Sequence, residues 1–211
     1  MARLILLALE FSVIFFGIPL LIYFRILPNL PILYLLIAGL AVLLVLRYDA
    51  TFDSRRLFTW GHLRPYLGTL LMRDAFCLAV LAVGVRVFAP ELLFSLVKRT
   101  PLFWAAIMLL YPLLSVYPQE LIYRTFCFHR YQPLFGSGWV MVLVSALAFG
   151  FVHIIFGNWL AVGLCVIGGL LFAVTYESSG SLLLVCLDHA IFGNFIFTVG
   201  LGRFFYHGFR L

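Results

Sequence analysis

Eight ionisable residues lie within or at the ends of long apolar runs: Glu10, Arg86, Glu120, Arg124, His153, Glu177, Asp188 and His189. A charge in hydrocarbon is costly, so each is a functional candidate by default. Glu120 and Arg124 come first. In Pro118-Gln119-Glu120-Leu121-Ile122-Tyr123-Arg124 they stand four apart, which puts them on one helix face. Two readings compete for the pair: a structural ion pair, or a carboxylate held ionised as a general base. His153 closes the apolar stretch Phe149-Gly150-Phe151-Val152-His153, and His189 falls in Leu187-Asp188-His189-Ala190-Ile191-Phe192-Gly193-Asn194. Each histidine taken singly fits an interhelical hydrogen-bonding role. As a set, one carboxylate, two histidines and an amide on three separate runs are the parts of a hydrolytic site. Glu120 can activate water. His153 and His189 can bind a metal, polarise a carbonyl or stabilise an oxyanion.

The other candidates carry less. Glu10 and Arg86 have no motif around them and are assigned structural roles, pairing with each other or with a loop. Glu177 ends a run and is expected at the interface. Asp188 adjoins His189, but neighbours on a helix do not face each other. Gly136-Ser137-Gly138 reads as a polar turn rather than a serine-nucleophile fragment. There is no His-Glu-x-x-His zinc helix, and no pair of membrane aspartates suggests an aspartyl dyad. Cys77, Cys127, Cys165 and Cys186 are scattered without metal or redox spacing and read as core.

The elements that must position these residues follow from composition. Of 211 residues, 65% are hydrophobic and 10% charged, with mean hydropathy +1.15. Soluble domains carry about 25% charged residues. So apolar a chain needs lipid as its solvent, and a single all-α, polytopic transmembrane bundle is expected. Apolar runs near membrane length fall at 4–24, 29–46, 74–90, 101–117, 138–156, 158–176 and 181–202. That gives seven spans around an intramembrane cavity, or eight if the segment near 118–135 adds an irregular one. Residues 1–100 form the N-terminal spans and 101–205 the core that carries the candidates. Pro112 and Pro118 bracket the end of the fourth run and predict a break in it. The net charge of +6 resides mainly in loops, which favours the membrane surface over nucleic acid as partner. Arg47, Arg55, Arg56, Arg64 and Arg73 crowd the polar stretch 47–73 and predict a cytoplasmic loop, hence a cytoplasmic N-terminus.

With these residues in place, the sequence resembles the CAAX protease and bacteriocin-processing (CPBP, or Abi) family of intramembrane endopeptidases, relatives of the Ras-converting prenyl-protein protease. That family shows Glu-Glu-x-x-x-Arg, then Phe-x-x-x-His, then His-x-x-x-Asn or Asp. Here the first motif is Gln119-Glu120-x-x-x-Arg124, the second Phe149-x-x-x-His153, and the third His189 with Asn194 one residue late. The stretch Gly169 to Leu182 also looks like the family's link between its second and third motifs. The likeness spans about 115–200. It implies an all-helical membrane fold, a glutamate-activated water and cleavage of a membrane-associated peptide or protein. Members work with a divalent metal such as zinc or with none, and the bacterial inner membrane is the expected location. Glu120, His153 and His189 would be the catalytic or metal-binding residues, with Gln119, Arg124 and Asn194 in support.

Two departures shape the alternatives. The family's leading glutamate aligns with Gln119, which cannot be a general base. Gln119 and Glu120 are roughly 100° apart on a helix, so Glu120 serves only after a local distortion. His189 and Asn194 are roughly 140° apart on a regular helix, and a bulge at Gly193 would realign them. The alternative reading is therefore a catalytically inactive membrane scaffold of the same fold. A proton-coupled transporter is a third class.

Overall fold

The computed structural model describes residues 1–59 and 63–205, the first two residues of the second stretch by backbone only. Part of the arginine-rich stretch at 60–62 and the tail at 206–211 thus lie outside the described residues. Every regular element among the described residues is helical. The principal helices are α1 (Ala2–Tyr23), α2 (Pro31–Tyr48), α3 (Leu63–Phe88), α4 (Pro101–Arg130), α5 (Trp139–Phe156), α6 (Trp159–Ser179) and α7 (Leu182–Thr198). All but α3 and α7 are long and apolar enough on their own to cross a membrane. Helix α3 joins them as a sixth if Pro65–Phe88 and Pro90–Arg99, bent by 113°, count as one broken span. Helix α7 has 17 residues, short of the roughly 20 that a bilayer core asks for. No eighth span forms near 118–135. Residues 118–130 continue α4 instead.

Local sequence explains where these helices start and stop. Pro31 and Pro101 open α2 and α4, where a missing N–H has no intrahelical partner to lose. Asn158 and Ser181 cap α6 and α7, accepting from the Ala161 and Leu184 backbone N–H at 2.8 and 3.3 Å. Gly157 and Gly180 end α5 and α6 at φ +69° and +61°, a left-handed turn that other residues adopt at a cost.

The break expected near Pro112 takes a specific form. Helix α4 stays continuous but widens into π-helical turns at Pro112–Val116 and Leu121–Phe126. Proline cannot donate to the ordinary ladder, and the wider turn absorbs the loss. These two turns flank Gln119 and Glu120.

Helices α5 and α6 approach closely because small residues face each other. A Cβ on Gly150 would overlap the Val166 side chain, and one on Gly169 would lie 3.1 Å from Ala146 O. Lipid offers no hydrophobic drive between helices, so close backbone approach of this kind supplies the packing energy. The core gathers Phe15, Leu46, Leu121, Tyr131, Met141, Phe149, Phe172, Tyr176 and Leu182. The outward faces are Leu-, Ile- and Phe-rich, as a lipid-facing surface requires.

Candidate active site

Helix α4 carries Gln119, Glu120 and Arg124 into the bundle, and the wide turn at Leu121–Phe126 seats both charged side chains fully out of contact with the surroundings. Arg124 Nε lies 3.1 Å from Glu120 Oε2. Arg124 Nη2 donates to Gly169 O at 2.9 Å, and its guanidinium rests 4.4 Å from the Phe149 ring centroid. Glu120 Oε1 meets His189 Nδ1 at 2.7 Å. The carboxylate therefore sits between an arginine on its own helix and a histidine on α7. The structural and the chemical readings of the Glu120–Arg124 pair both survive, because the second oxygen is committed elsewhere.

His189 is held on three sides. Phe172 stacks on it at 4.5 Å, Glu120 takes Nδ1, and the Tyr111 hydroxyl lies 2.9 Å from Nε2. His153 opens a short 3₁₀ turn at the end of α5, and its Nδ1 lies 2.7 Å from Phe149 O. A backbone carbonyl can only accept, so His153 Nδ1 carries the hydrogen. The carboxylate fixes the same tautomer on His189. When neutral, each imidazole is left with Nε2 as a lone pair. Both act as acceptors in this state and become oxyanion donors only on protonation.

A cavity of about 1160 Å³ opens beside these groups. Gln119, His153, His189 and Tyr111 line it, among apolar residues from α2 to α7. Glu120 does not. The one-residue phase difference anticipated between Gln119 and Glu120 is present: the amide turns to the cavity and the carboxylate away from it. No aspartate or glutamate lines the cavity among the described residues. Gln119 Nε2 donates to Ser115 Oγ at 2.6 Å, while its Oε1 is buried with no hydrogen-bond partner among them.

Asn194 is not brought in. Helix α7 runs through Gly193 as regular α-helix, without the bulge that would realign Asn194. Its Nδ2 donates to Met108 O at 3.3 Å, on α4. Nor do Glu120, His153 and His189 present a shared set of metal ligands. Among the described residues no three His, Cys, Asp or Glu side chains are grouped to hold a metal ion. Glu120 Oε1 and His189 Nδ1 face each other, so neither offers that atom to a third party.

The remaining candidates settle as structural ties. Glu10 pairs with Arg130 at 2.8 Å and accepts from Tyr131, rather than meeting Arg86. Glu177 accepts from Gly138 N at 2.6 Å and closes the turn before α5. Asp188 turns away from His189 toward α3. There Arg73 bridges Asp188 at 2.6 Å and Asp74 at 2.7 Å, and Thr175 donates to Asp188 at 2.7 Å. Two buried aspartates thus share one arginine, where the sequence suggested no membrane aspartate pair. Asp74 and Asp188 are 114 residues apart, so no local pattern could join them. Tyr111 was also missed. It precedes Gln119 by eight residues, roughly 80° off its face on a regular helix. The wide turn that begins at Pro112 absorbs the difference, so a tyrosine directly before a proline was the available signal.

Fold and site together define a helical integral membrane protein with an ion pair and two histidines beside an apolar cavity, all within the bundle. Residues 100–196 match the family model described as type II CAAX prenyl endopeptidase Rce1-like. Over this segment, the part of the chain that carries Glu120, His153 and His189, the chain is similar to that family of endopeptidases. No curated protein and no solved structure matches the chain.

Proposed function

We propose that the chain is an intramembrane peptidase that cleaves a membrane-associated, lipid-bearing peptide or protein, using water activated by Glu120 acting through His189. The observation that carries the reading is the contact from Glu120 Oε1 to His189 Nδ1, 2.7 Å, on a histidine that lines the cavity. A carboxylate behind an imidazole fixes its tautomer, raises its basicity and stabilises the imidazolium that forms. Glu120 then acts as the base's partner rather than touching water itself, which suits its place outside the cavity lining. Arg124 holds the carboxylate in position. His153 offers a second acceptor for the attacking water. The apolar cavity, about 1160 Å³, is large enough for a lipid chain beside a peptide. The 47–73 stretch is a loop only in part, because helix α3 takes in Arg64 and Arg73; Arg55 and Arg56, between α2 and α3, support a cytoplasmic position for that connection and for the N-terminus.

The test uses the full chain in liposomes with a fluorogenic prenylated peptide. Cleavage is expected, with losses of at least about 100-fold in Glu120→Gln, His153→Ala and His189→Ala at unchanged folding. Full activity in all three would rule out this site. One observation favours a second reading, a non-hydrolytic relative that binds such chains: Gln119 faces the cavity where no carboxylate does. In that case the wild type binds the peptide without cutting it, and Gln119→Glu alone acquires cleavage.

A further inference from the structure

Several donors line the cavity, Arg203, Ser115 and Tyr123 among them, but the Tyr111 hydroxyl is the one placed against His189. Attack on a carbonyl builds negative charge on its oxygen, and that charge needs a hydrogen-bond donor. The Tyr111 hydroxyl has the right chemistry and place. With His189 neutral and its Nδ1 hydrogen given to Glu120, Nε2 accepts, and the contact of 2.9 Å is a donation from Tyr111. The phenol hydrogen is thus aimed into the space beside the base.

The surroundings fix this pose. The Tyr111 ring packs edge-on against Phe197 at 5.3 Å and against His189 at 6.0 Å. Gly193 on α7 makes the room, because a Cβ there would overlap the Tyr111 ring and hydroxyl. Gly193 therefore serves the approach of α4 to α7, in place of the bulge its position suggested.

We propose that Tyr111 is a catalytic residue, the donor that stabilises the oxyanion. This rests on the peptidase reading above. At rest its hydroxyl caps His189 Nε2. Water entering with substrate takes that acceptor, and the phenol O–H, keeping its proton, turns to hydrogen-bond the scissile carbonyl oxygen. The water oxygen bonds to the carbonyl carbon as its proton moves to Nε2. The carbon–nitrogen bond then breaks, the same proton leaves with the amine, and a carboxylic acid is the other product.

Tyr111→Phe removes only the hydroxyl and tests this directly. With the prenylated peptide in liposomes, kcat should fall about 10²- to 10³-fold, the usual consequence of losing one oxyanion donor, with KM within about twofold. The unfolding midpoint should stay unchanged. A 3-fluorotyrosine at 111 keeps shape and donor and should retain activity, with the alkaline limb of the kcat profile moved to lower pH. A merely structural hydroxyl would not produce that shift. An active wild type with Tyr111→Phe within twofold of it overturns the proposal and leaves the peptidase reading standing. A wild type that binds the peptide without cleaving it overturns both.

Discussion

Replacing Arg124 by methionine tests whether the buried ion pair is the anchor that seats the site. Methionine keeps the unbranched stem of the side chain but stops short of the guanidinium, which now lies 4.4 and 5.7 Å from the Phe149 and Phe172 ring centroids. It removes the ion pair at 3.1 Å and the donation to Gly169 O at 2.9 Å. Glu120 is then a fully enclosed carboxylate with His189 Nδ1 as its remaining contact. Breaking a buried pair by removing one partner costs about 3–5 kcal/mol. An ordinary interhelical hydrogen bond in a membrane bundle is worth only about 0.6 kcal/mol. The two magnitudes are far enough apart for one measurement to separate them. Reversible unfolding in mixed detergent micelles, followed by helical circular dichroism, should show Arg124→Met destabilised by about 3–5 kcal/mol. Adding Glu120→Gln removes the stranded charge, so the double variant should recover roughly half of that loss. A cost under about 1 kcal/mol, or a strictly additive double variant, would refute the view that charge neutralisation holds α4, α6 and α7 together at this point.

Two further outcomes test the fold around the site. Gly169→Val places a Cβ 3.0 Å from Phe149 Cδ1 and 3.1 Å from Ala146 O, so it should cost about 1–3 kcal/mol through overpacking and lower peptidase activity by displacing Gly169 O from Arg124. Unfolding in the same micelles checks it, and wild-type stability would contradict the α5–α6 packing described. Asp49, beyond the end of α2, has its carboxyl held well below the usual range, first by the Thr51 hydroxyl at 2.6 Å and then by His129 at 2.9 Å. A carboxyl lowered by folding adds stability that is complete above its unfolded value, about 3.9, and is lost as pH falls through the lower folded value. The thermal midpoint of wild type should therefore exceed that of Asp49→Asn at pH 7, and the gap should begin to narrow below about pH 4. A gap independent of pH between 7 and 3 would contradict the assignment.

Residues joined by local helix geometry were legible in the sequence, and those joined across the bundle were not. Four-residue spacing put Glu120 and Arg124 on one face, and the structure pairs them at 3.1 Å. The angle between neighbours separated Gln119 from Glu120, and the two do face different ways. The same arithmetic set Asn194 off His189, and α7 leaves it there because Gly193 is used for contact with Tyr111 rather than for a bulge. Periodicity could not supply the wide turns in α4, since a π turn changes the period itself. Nor could it supply Arg73 and Asp74, whose partners Thr175 and Asp188 lie more than 100 residues away in sequence. Span counting failed in the same place: residues after Pro118 looked too polar to continue a membrane helix, yet Glu120 and Arg124 neutralise each other and let α4 run to Arg130. This continuity bears on Gln119. With the arginine four residues after it, Glu120 is fixed as the carboxylate that satisfies the bundle's buried cation, and the cavity-facing position before it is free of that duty. A glutamate at 119 would add a second negative charge beside a single arginine. The amide there lowers the charge that the site must bury, and the groups of the proposed site that reach the cavity are then His153 and His189.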